Sequence, residues 1–232
     1  MFRFTKRKAL KYIEKQSGEG INVKEIITLS IGKPKKHSWK NREEISGIGK
    51  EKIESAFLTK DGFLGDGVAN TDFHGGPDRA VCLYPFEHYG MWEKEFKKTF
   101  CPPAFGENIC AGNMLEKDVF IGDTFSLGES VIQITQGRIP CSTISKHNEE
   151  DQLLSRIVET CFTGYFFRVL KEGNVTAGSV LKLEERKQEK VSVLQGNFIM
   201  FHDRKNRKAI EELLQIEALA AVWREKLEKA LL

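Results

Sequence analysis

Two loops, far apart in the chain, hold most of the side chains that could do chemistry. The first lies within Gly65 to Tyr84, GDGVANTDFHGGPDRAVCLY, and sets acidic residues, a histidine and an arginine among glycines. A loop that needs unusual backbone freedom and also holds groups that titrate is better explained as a site than as a connector. The second is Gln136 to Cys141, QGRIPC, which offers a thiol near a guanidinium. We expect His74 and Cys141 to face one cavity.

Cys141 is the cysteine best placed to react. It follows Pro140, which stiffens the loop, and stands three residues after Arg138. A neighbouring cation favours the thiolate, which is both the nucleophilic form and a soft metal ligand. An inert, buried role remains open for any single cysteine, and the other four lack this setting: Cys82, Cys101, Cys110 and Cys161.

The first loop leaves several roles open. His74, before Gly75 and Gly76, is a candidate general acid or base, a metal ligand, or a hydrogen-bonding residue that holds the loop. Downstream, Glu107 and Asn108 are placed either to bind a polar heterocycle or to brace their own loop. The acidic residues do not follow the twelve-residue calcium-loop pattern, so capping or turn hydrogen bonds explain them more simply: Asp66, Asp72 and Asp78.

Several common site motifs are missing from the sequence. The glycines spell neither G-x-G-x-x-G nor a Walker loop, and no G-x-S-x-G elbow is present. Five cysteines without a C-x-x-C pair indicate reduced thiols rather than a disulfide framework or a zinc finger. A zinc site made from His74, Cys82 and His88 would require unfavourable spacing.

Composition indicates a globular protein. The chain has 232 residues, 40% of them hydrophobic, and its 36 basic and 33 acidic residues nearly balance. Nothing global therefore demands nucleic acid as a partner. The basic N-terminus has no continuous apolar segment of the signal-peptide type, and no run approaches the roughly 20 apolar residues of a membrane span. We expect a cytoplasmic location.

The elements that must position the two loops are mostly strands, so we predict a mainly β fold with helices, of the α+β class. We divide the chain into an N-terminal extension, residues 1–20, with a weak helix up to Lys15; a strand-rich body, residues 21–185; and a three-helix module, residues 191–232.

Within the body, the segment of Lys33 to Lys40 is predicted to be a loop. The predicted strands and hairpins are Ile21 to Ile31, Glu54 to Thr59, Arg79 to Tyr84, Val119 to Leu127 with Val131 to Gln136, and Gly164 to Leu170 with Val175 to Leu183. The predicted body helices are Pro85 to Phe100, with Tyr89, Trp92 and Phe96 on one buried face, and Glu149 to Cys161. In the module, Asn206 is a predicted helix cap.

Four motifs, in order, resemble those of the MOSC domain, named for the C-terminal region of molybdenum cofactor sulfurase. They are GDGVANTDFHGGPDRAVCLYP, FGENI, EKDVFIGD and QGRIPC. The later FTGYFFRVLKEGNVTAGSVLKL and the terminal helices resemble a bacterial subgroup with a three-helix module. The resemblance covers Val23 to Leu232, whereas residues 1–20 have no counterpart.

The resemblance implies a β-barrel body that binds the molybdenum cofactor in its molybdopterin form, with Cys141 as the thiolate ligand of molybdenum. The family's HGG loop falls on His74, Gly75 and Gly76, with Asp78 and Ala80 beyond it. By analogy His74 or Asp78 would supply a proton. The residues expected to contact the cofactor are Lys60, Asp72, His74, Gly75, Gly76, Asn108, Arg138 and Cys141.

Similar proteins are associated with the reduction of N-hydroxylated compounds, including N-hydroxylated purine base analogues. The resemblance therefore implies a detoxifying reductase that takes electrons from a separate protein, because the sequence contains no flavin or iron–sulfur motif. Two alternatives remain. One is a non-catalytic molybdopterin-binding or sulfur-carrier module. The other is a relative in which the cavity holds another anionic ligand and Cys141 is structural.

Overall fold

The computed structural model describes residues 24–39, 42–70 and 74–232. The helix predicted up to Lys15 lies outside these residues, as does Asp72. Within the described ranges the strands are β1 Ile26–Ile31, β2 Lys35–Trp39, β3 Arg42–Ser46, β4 Glu51–Ile53, β5 Ser55–Thr59, β6 Gly62–Phe63, β7 Val81–Pro85, β8 Ile109–Ala111, β9 Thr124–Leu127, β10 Ser130–Gly137, β11 Tyr165–Lys171, β12 Gly173–Thr176 and β13 Leu181–Glu185. The α-helices are α1 Glu87–Phe96, α2 Thr143–His147, α3 Leu153–Thr160, α4 Val193–His202, α5 Arg207–Leu214 and α6 Ala221–Leu231, and a 3₁₀-helix spans Pro77–Arg79.

One large sheet forms the body, with the strand order β13-β9-β10-β11-β7-β8-β1-β4. All its pairings are antiparallel except that of β7 with β8. An isolated bridge pairs Glu25 with Val180, and the Leu181 amide donates to the Lys24 carbonyl at 2.9 Å. The start of β13, at one edge of the sheet, therefore meets the start of β1, the strand next to the other edge. The described strands do not form a continuous closed barrel, so the mixed α+β class is confirmed and the barrel remains a prediction.

The predicted hairpin of β9 and β10 is confirmed, and its second strand is buried along almost its whole length. Residues such as Ile132 and Ile134 contribute to the main core, and helix α4 packs against the same strand. Burial on both sides explains why β10 is rich in β-branched residues. This rigid strand leads directly into the QGRIPC loop.

Two strand predictions were wrong. The segment of Lys33 to Lys40, predicted as a loop, contains β2, which pairs with β3 in a separate two-stranded sheet. The strands after Gly164 do not pair with one another as a hairpin: β12 pairs with β5, and β13 pairs with β9. β12 and β13 have partners that lie far away in the chain, beyond the reach of a local pattern, whereas β2 pairs with the strand that follows it.

The predicted aromatic face of α1 packs inward. Tyr89 and Trp92 are buried in a second apolar cluster, and Phe96 is partly buried against it. The Trp92 indole donates to the Tyr84 hydroxyl at 2.7 Å, which satisfies a polar group inside the cluster. This stripe is therefore packing, as predicted.

The three C-terminal helices pack on the sheet rather than standing apart. Trp223 and Leu227 of α6 belong to the same core as the sheet residues. Ser192 and Gln195 form a capping box at α4, and the predicted cap Asn206 accepts from the Ala209 amide at 3.1 Å. Across the described part of the chain, no helix is long and apolar enough to cross a membrane.

Candidate active site around Cys141

Cys141 lies where the chain leaves β10, and its carbonyl accepts from the Ile144 amide at 3.1 Å at the start of α2. The preceding Arg138 amide donates to the Gly164 carbonyl at 2.9 Å, which holds the exit of the strand. The thiol is half-buried, so it is reachable from solvent yet partly enclosed. The backbone is thus held by hydrogen bonds both before and after Cys141, which fixes the position of its side chain.

The structure brings His74 to Cys141, although 67 positions separate them in the sequence. The His74 side chain is within hydrogen-bonding reach of the Cys141 thiol. Gly75 and Gly76 have φ values of 76° and 92°, which glycine adopts without strain. The Thr135 hydroxyl of β10 donates to the Asp78 carbonyl at 2.6 Å. The strand that leads into the Cys141 loop therefore also holds the loop that carries His74.

The Cys141 thiol is activated. Burial alone would raise its pKa, but hydrogen bonds from His74 and Thr143 and the charge of Arg138 lower that pKa to about 6. Because this pKa lies below neutrality, the thiolate is the main form at pH 7. A thiolate is the reactive form of cysteine and the form that binds soft metals.

The other buried cysteines have the opposite character. Burial raises the pKa of Cys82 and of Cys110, and it raises the pKa of Cys161 to about 12. These three thiols stay protonated at neutral pH. Activation is thus specific to Cys141 among the cysteines for which a shift is found.

The guanidinium of Arg138 makes contacts within the protein as well as lying near Cys141. Its guanidinium donates to the Phe105 carbonyl at 2.6 Å and contacts the Cys82 sulfur at 3.7 Å. Burial disfavours its charge, but the neighbouring thiols Cys82 and Cys141, together with Glu107, raise its pKa. Arg138 therefore provides a fixed positive charge beside Cys141 while it holds the Phe105 loop.

Both carboxylate oxygens of Asp78 are engaged by groups other than Cys141. Oδ1 accepts from the Arg168 guanidinium at 2.7 and 3.0 Å, and Oδ2 accepts from the Ala221 amide at 3.0 Å. That amide is the first of α6, so the carboxylate occupies the positive end of the helix. The geometry thus gives Asp78 a structural function, tying the His74 loop to the last helix.

Asn108 is similarly engaged. Its amide oxygen accepts from the Cys82 amide at 3.1 Å, and its amide nitrogen donates to the Ser30 carbonyl at 3.2 Å and to Asp66 at 2.7 Å. Asp66 also pairs with the buried Lys50 ammonium. Of the two roles that the sequence left open, Asn108 performs the bracing one.

Glu107 also braces its own loop. One carboxylate oxygen accepts from the Tyr89 hydroxyl, and the other accepts from the Phe105 amide at 3.1 Å. Burial raises its pKa, and the Tyr89 hydrogen bond opposes the rise. The candidate zinc ligand His88 instead pairs with Glu116 at 2.7 Å, away from His74.

Lys60 lies away from Cys141. Its ammonium donates to the backbone carbonyls of Val169, at 2.8 Å, and Leu170, near one end of β11. Tyr165, at the other end of β11, pairs with Gly137, just before Arg138. At about 3.3 Å per residue, the two ends are separated by more than 10 Å along the strand. The structure therefore does not bring Lys60 to the thiol.

Comparisons with known proteins agree with this fold. A MOSC domain matches residues 70–182, and a YiiM-like 3-alpha helix domain matches residues 191–231. The chain is 40% identical over 200 residues to the uncharacterized protein YflK of Bacillus subtilis, covering 86% of this chain and 90% of that protein. The crystal structure of YiiM from Geobacillus stearothermophilus superposes with a TM-score of 0.77 at 32% identity, covering 90% and 100% of the two chains.

A further relative carries a functional name. The chain is 35% identical over 174 residues to a protein named "Reductase" from Gibberella moniliformis, covering 73% of this chain and 31% of that longer protein. Taken together, the matches agree with the mixed α+β fold and its C-terminal helices. The chain belongs to the MOSC domain family, in the group with a YiiM-like 3-alpha helix domain.

Proposed function

We propose that this protein is a molybdenum-cofactor-dependent reductase of N-hydroxylated compounds, such as N-hydroxylated purine base analogues. The observation that carries the proposal is the Cys141 thiol, whose pKa is about 6 and which has His74 within hydrogen-bonding reach. Membership of the MOSC family and a relative named as a reductase support it.

The residues fit the molybdopterin form of the cofactor. A soft thiolate suits molybdenum that already carries dithiolene sulfur. Within the described ranges no group of three or more His, Cys, Asp or Glu side chains is arranged to hold a metal ion. Cys141 would therefore be the protein's ligand to molybdenum, and the cofactor would bring the other ligands. When bound, the cofactor supplies the two-electron chemistry that removes oxygen from an N-hydroxyl group.

The protein's own residues would fix the thiolate and manage protons. Reduction of an N-hydroxyl group to an amine takes up two electrons and two protons and releases water. The His74 imidazole is exposed and can exchange its N–H proton with solvent, so we propose it as the proton donor to the leaving oxygen. Asp78 is a poorer donor because both its oxygens accept hydrogen bonds elsewhere.

Of the other cofactor contacts implied by the resemblance, some are supported by the structure and some are not. Gly75 and Gly76 follow His74, and their φ values let the backbone approach a ligand closely. Arg138 offers charge beside the thiolate. Lys60 and Asn108 receive no support from the contacts described above, and Asp72 lies outside the described residues. The electrons would come from a separate protein.

The test is to produce the protein in a host that makes the cofactor and to analyse it for molybdenum and pterin. We expect both in the wild type, together with reduction of an N-hydroxylated purine base when a chemical reductant is supplied. Cys141→Ser should lose molybdenum and activity. Cys101→Ser is the matched control because that cysteine is exposed and lies outside the site. A wild type that contains neither molybdenum nor pterin would contradict the proposal.

The second candidate is a sulfur-carrier or cofactor-binding module without turnover. The same observation favours it, because an activated thiolate can attack the outer sulfur of a donor protein's persulfide, forming a persulfide on Cys141 and releasing the donor's thiol. It predicts a persulfide on Cys141 by mass spectrometry, or bound cofactor, with no reduction of N-hydroxylated bases.

A further inference from the structure

A cavity of about 420 Å³ lies beside the β2–β3 sheet and is separate from the Cys141 site. Its walls come from β2, from residues 49–50, from residues 99–104 after α1, and from the end of α2 at His147. It shares no lining residue with the contact between His74 and Cys141. The cavity is within the usual size range of small-molecule pockets.

The polar side of this cavity is basic. Its lining includes Lys35, His37, Lys50 and His147, and none of its lining residues is acidic. Lys35 pairs with Glu51 at 3.1 Å and Lys50 pairs with Asp66, but both carboxylates lie outside the lining. Four groups that carry or can carry positive charge therefore surround one space, which is the arrangement that recognises an anion.

Within the described part of the chain, no acidic side chain pairs with either of the two histidines. The ring of His37 stacks on Trp39 at 4.8 Å and meets the ring of His147 edge-on at 6.1 Å. Among the residues described, none hydrogen-bonds the buried Nε2 of His37. Burial lowers the pKa of His147, and the nearby His37 and Lys35 lower it further. A bound anion would offset this crowding of like charge.

The remaining wall is apolar and leaves room for more than an inorganic ion. Phe100, Pro103 and Ala104 form it, with Thr99 beside them. With about 30 Å³ for each water-sized group, the cavity holds on the order of a dozen such groups. We infer that it binds a small organic phosphate, with the phosphate between His37, His147 and Lys35 and the organic part against Phe100.

Gly49 supplies a variant that perturbs the cavity without removing charge. A Cβ added there would lie 2.7 Å from Cε1 of His37 and 3.0 Å from Cε of Lys35. Gly49→Ala must therefore displace the two side chains proposed to hold the phosphate. Because this variant keeps every charge, weaker binding would show that the positions of the basic groups matter as well as their charge.

The experiment is calorimetric titration of the full chain with inorganic phosphate, adenosine monophosphate and adenosine. Each is tested on protein prepared with and without the molybdenum cofactor. We expect adenosine monophosphate to bind more tightly than phosphate, and adenosine to bind at least tenfold more weakly than its monophosphate. The double variant His37→Gln/His147→Gln should weaken binding by roughly tenfold or more, about 1.4 kcal/mol per tenfold. Gly49→Ala should weaken it as well.

The matched control is His202→Gln, which removes an exposed histidine on α4, outside the cavity. Binding to both preparations would indicate a separate organic phosphate. Binding only to cofactor-free protein would indicate that the cofactor's own phosphate occupies the cavity. Failure of both preparations to bind phosphate or the monophosphate, or equal affinities in the double variant and His202→Gln, would overturn the inference. Neither result depends on whether the protein reduces N-hydroxylated compounds.

Discussion

At the scale of single residues, the low pKa of Cys141 depends on three neighbouring residues that oppose the effect of burial. His74 and Thr143 lie within hydrogen-bonding reach of the sulfur and lower its pKa, and Arg138 contributes charge. His74 comes from a distant loop, whereas Thr143 and Arg138 are neighbours in sequence. The reactive state of the thiol therefore depends on the two loops staying together.

The first prediction concerns His74→Gln. Loss of the imidazole should raise the pKa of Cys141 from about 6 towards its ordinary value of 9.0, so that less thiolate is present at pH 7. The pH profile of Cys141 alkylation, followed by mass spectrometry of its peptide, should shift to higher pH. His202→Gln is the control. An unchanged profile in His74→Gln would show that His74 does not activate the thiol.

The sequence singled out the cysteine whose pKa is lowered, but it gave only part of the reason. Arg138 stands three residues before Cys141 and does lower its pKa, but the hydrogen bonds from His74 and Thr143 lower that pKa more. The contact with His74 was expected only because the two loops hold most of the candidate reactive groups and were predicted to form one site. The engagement of Asp78 and Asn108 was not foreseeable, because their partners are backbone groups and side chains distant in sequence.

At the scale of elements, β10 organises the site. It delivers Cys141 at its end, and its Thr135 holds the His74 loop through the Asp78 carbonyl. The Thr135 carbonyl accepts from the Ala220 amide at 3.1 Å, just before α6. One strand thus joins both loops and the last helix.

The second prediction concerns Asp78→Ala. Removing the carboxylate leaves the Arg168 guanidinium and the first amide of α6 without this partner, so we expect the free energy of unfolding to fall by about 1–3 kcal/mol. Urea denaturation measures it. Asp61→Ala, in an exposed turn, is the control. Equal stability of the two variants would contradict the proposed tie.

The third prediction concerns Gly137→Ala at the end of β10. A Cβ there would lie 1.6 Å from Oδ1 of Asn197, which is buried on α4. Asn197 is itself fixed by hydrogen bonds to the Cys161 carbonyl and the Thr163 hydroxyl, both at 2.9 Å. We expect a loss of about 1–3 kcal/mol from overpacking. Gly178→Ala, with open space around it, should be nearly neutral in the same thermal melt.

The elements that the sequence did not predict share a physical cause. β2 and β3 read KKHSW and REEIS, so neither shows the alternation that marks a half-buried strand. β2 lines one side of a cavity through Lys35 and His37, and neither strand contributes a residue to the main core. By contrast, β9, β10 and α1 bury clear apolar patterns, and the sequence predicted them.

At the scale of the whole molecule, the helices and the sheet share one core. Val193, Met200 and Trp223 belong to the same cluster as Ile134 and Phe167. The Val193 and Leu194 amides also donate to the Val119 and Glu116 carbonyls, both at 2.9 Å. The predicted boundary near Val191 marks a change of secondary structure, but not a division between two independent cores.

The fourth prediction follows from this shared core. A chain ending at residue 190 should fail to fold cooperatively, because it exposes apolar sheet residues that the helices cover. Circular dichroism during heating should show no sharp transition. A chain lacking only the exposed Leu232 is the control. A cooperative melt of the shorter chain, with the Cys141 alkylation profile unchanged, would contradict a shared core.

The contrast between Cys141 and the three buried cysteines has a consequence for oxidative damage. Hydrogen peroxide oxidises thiolates to sulfenic acid, and susceptibility follows thiolate character and access. Cys141 combines a pKa of about 6 with partial exposure, whereas Cys82, Cys110 and Cys161 are buried and protonated. Mild peroxide should therefore modify Cys141 before these three, and a thiol reductant should reverse the change at the sulfenic stage. In the reductase that we propose, such oxidation would remove the metal-binding form of the cysteine while leaving the fold intact.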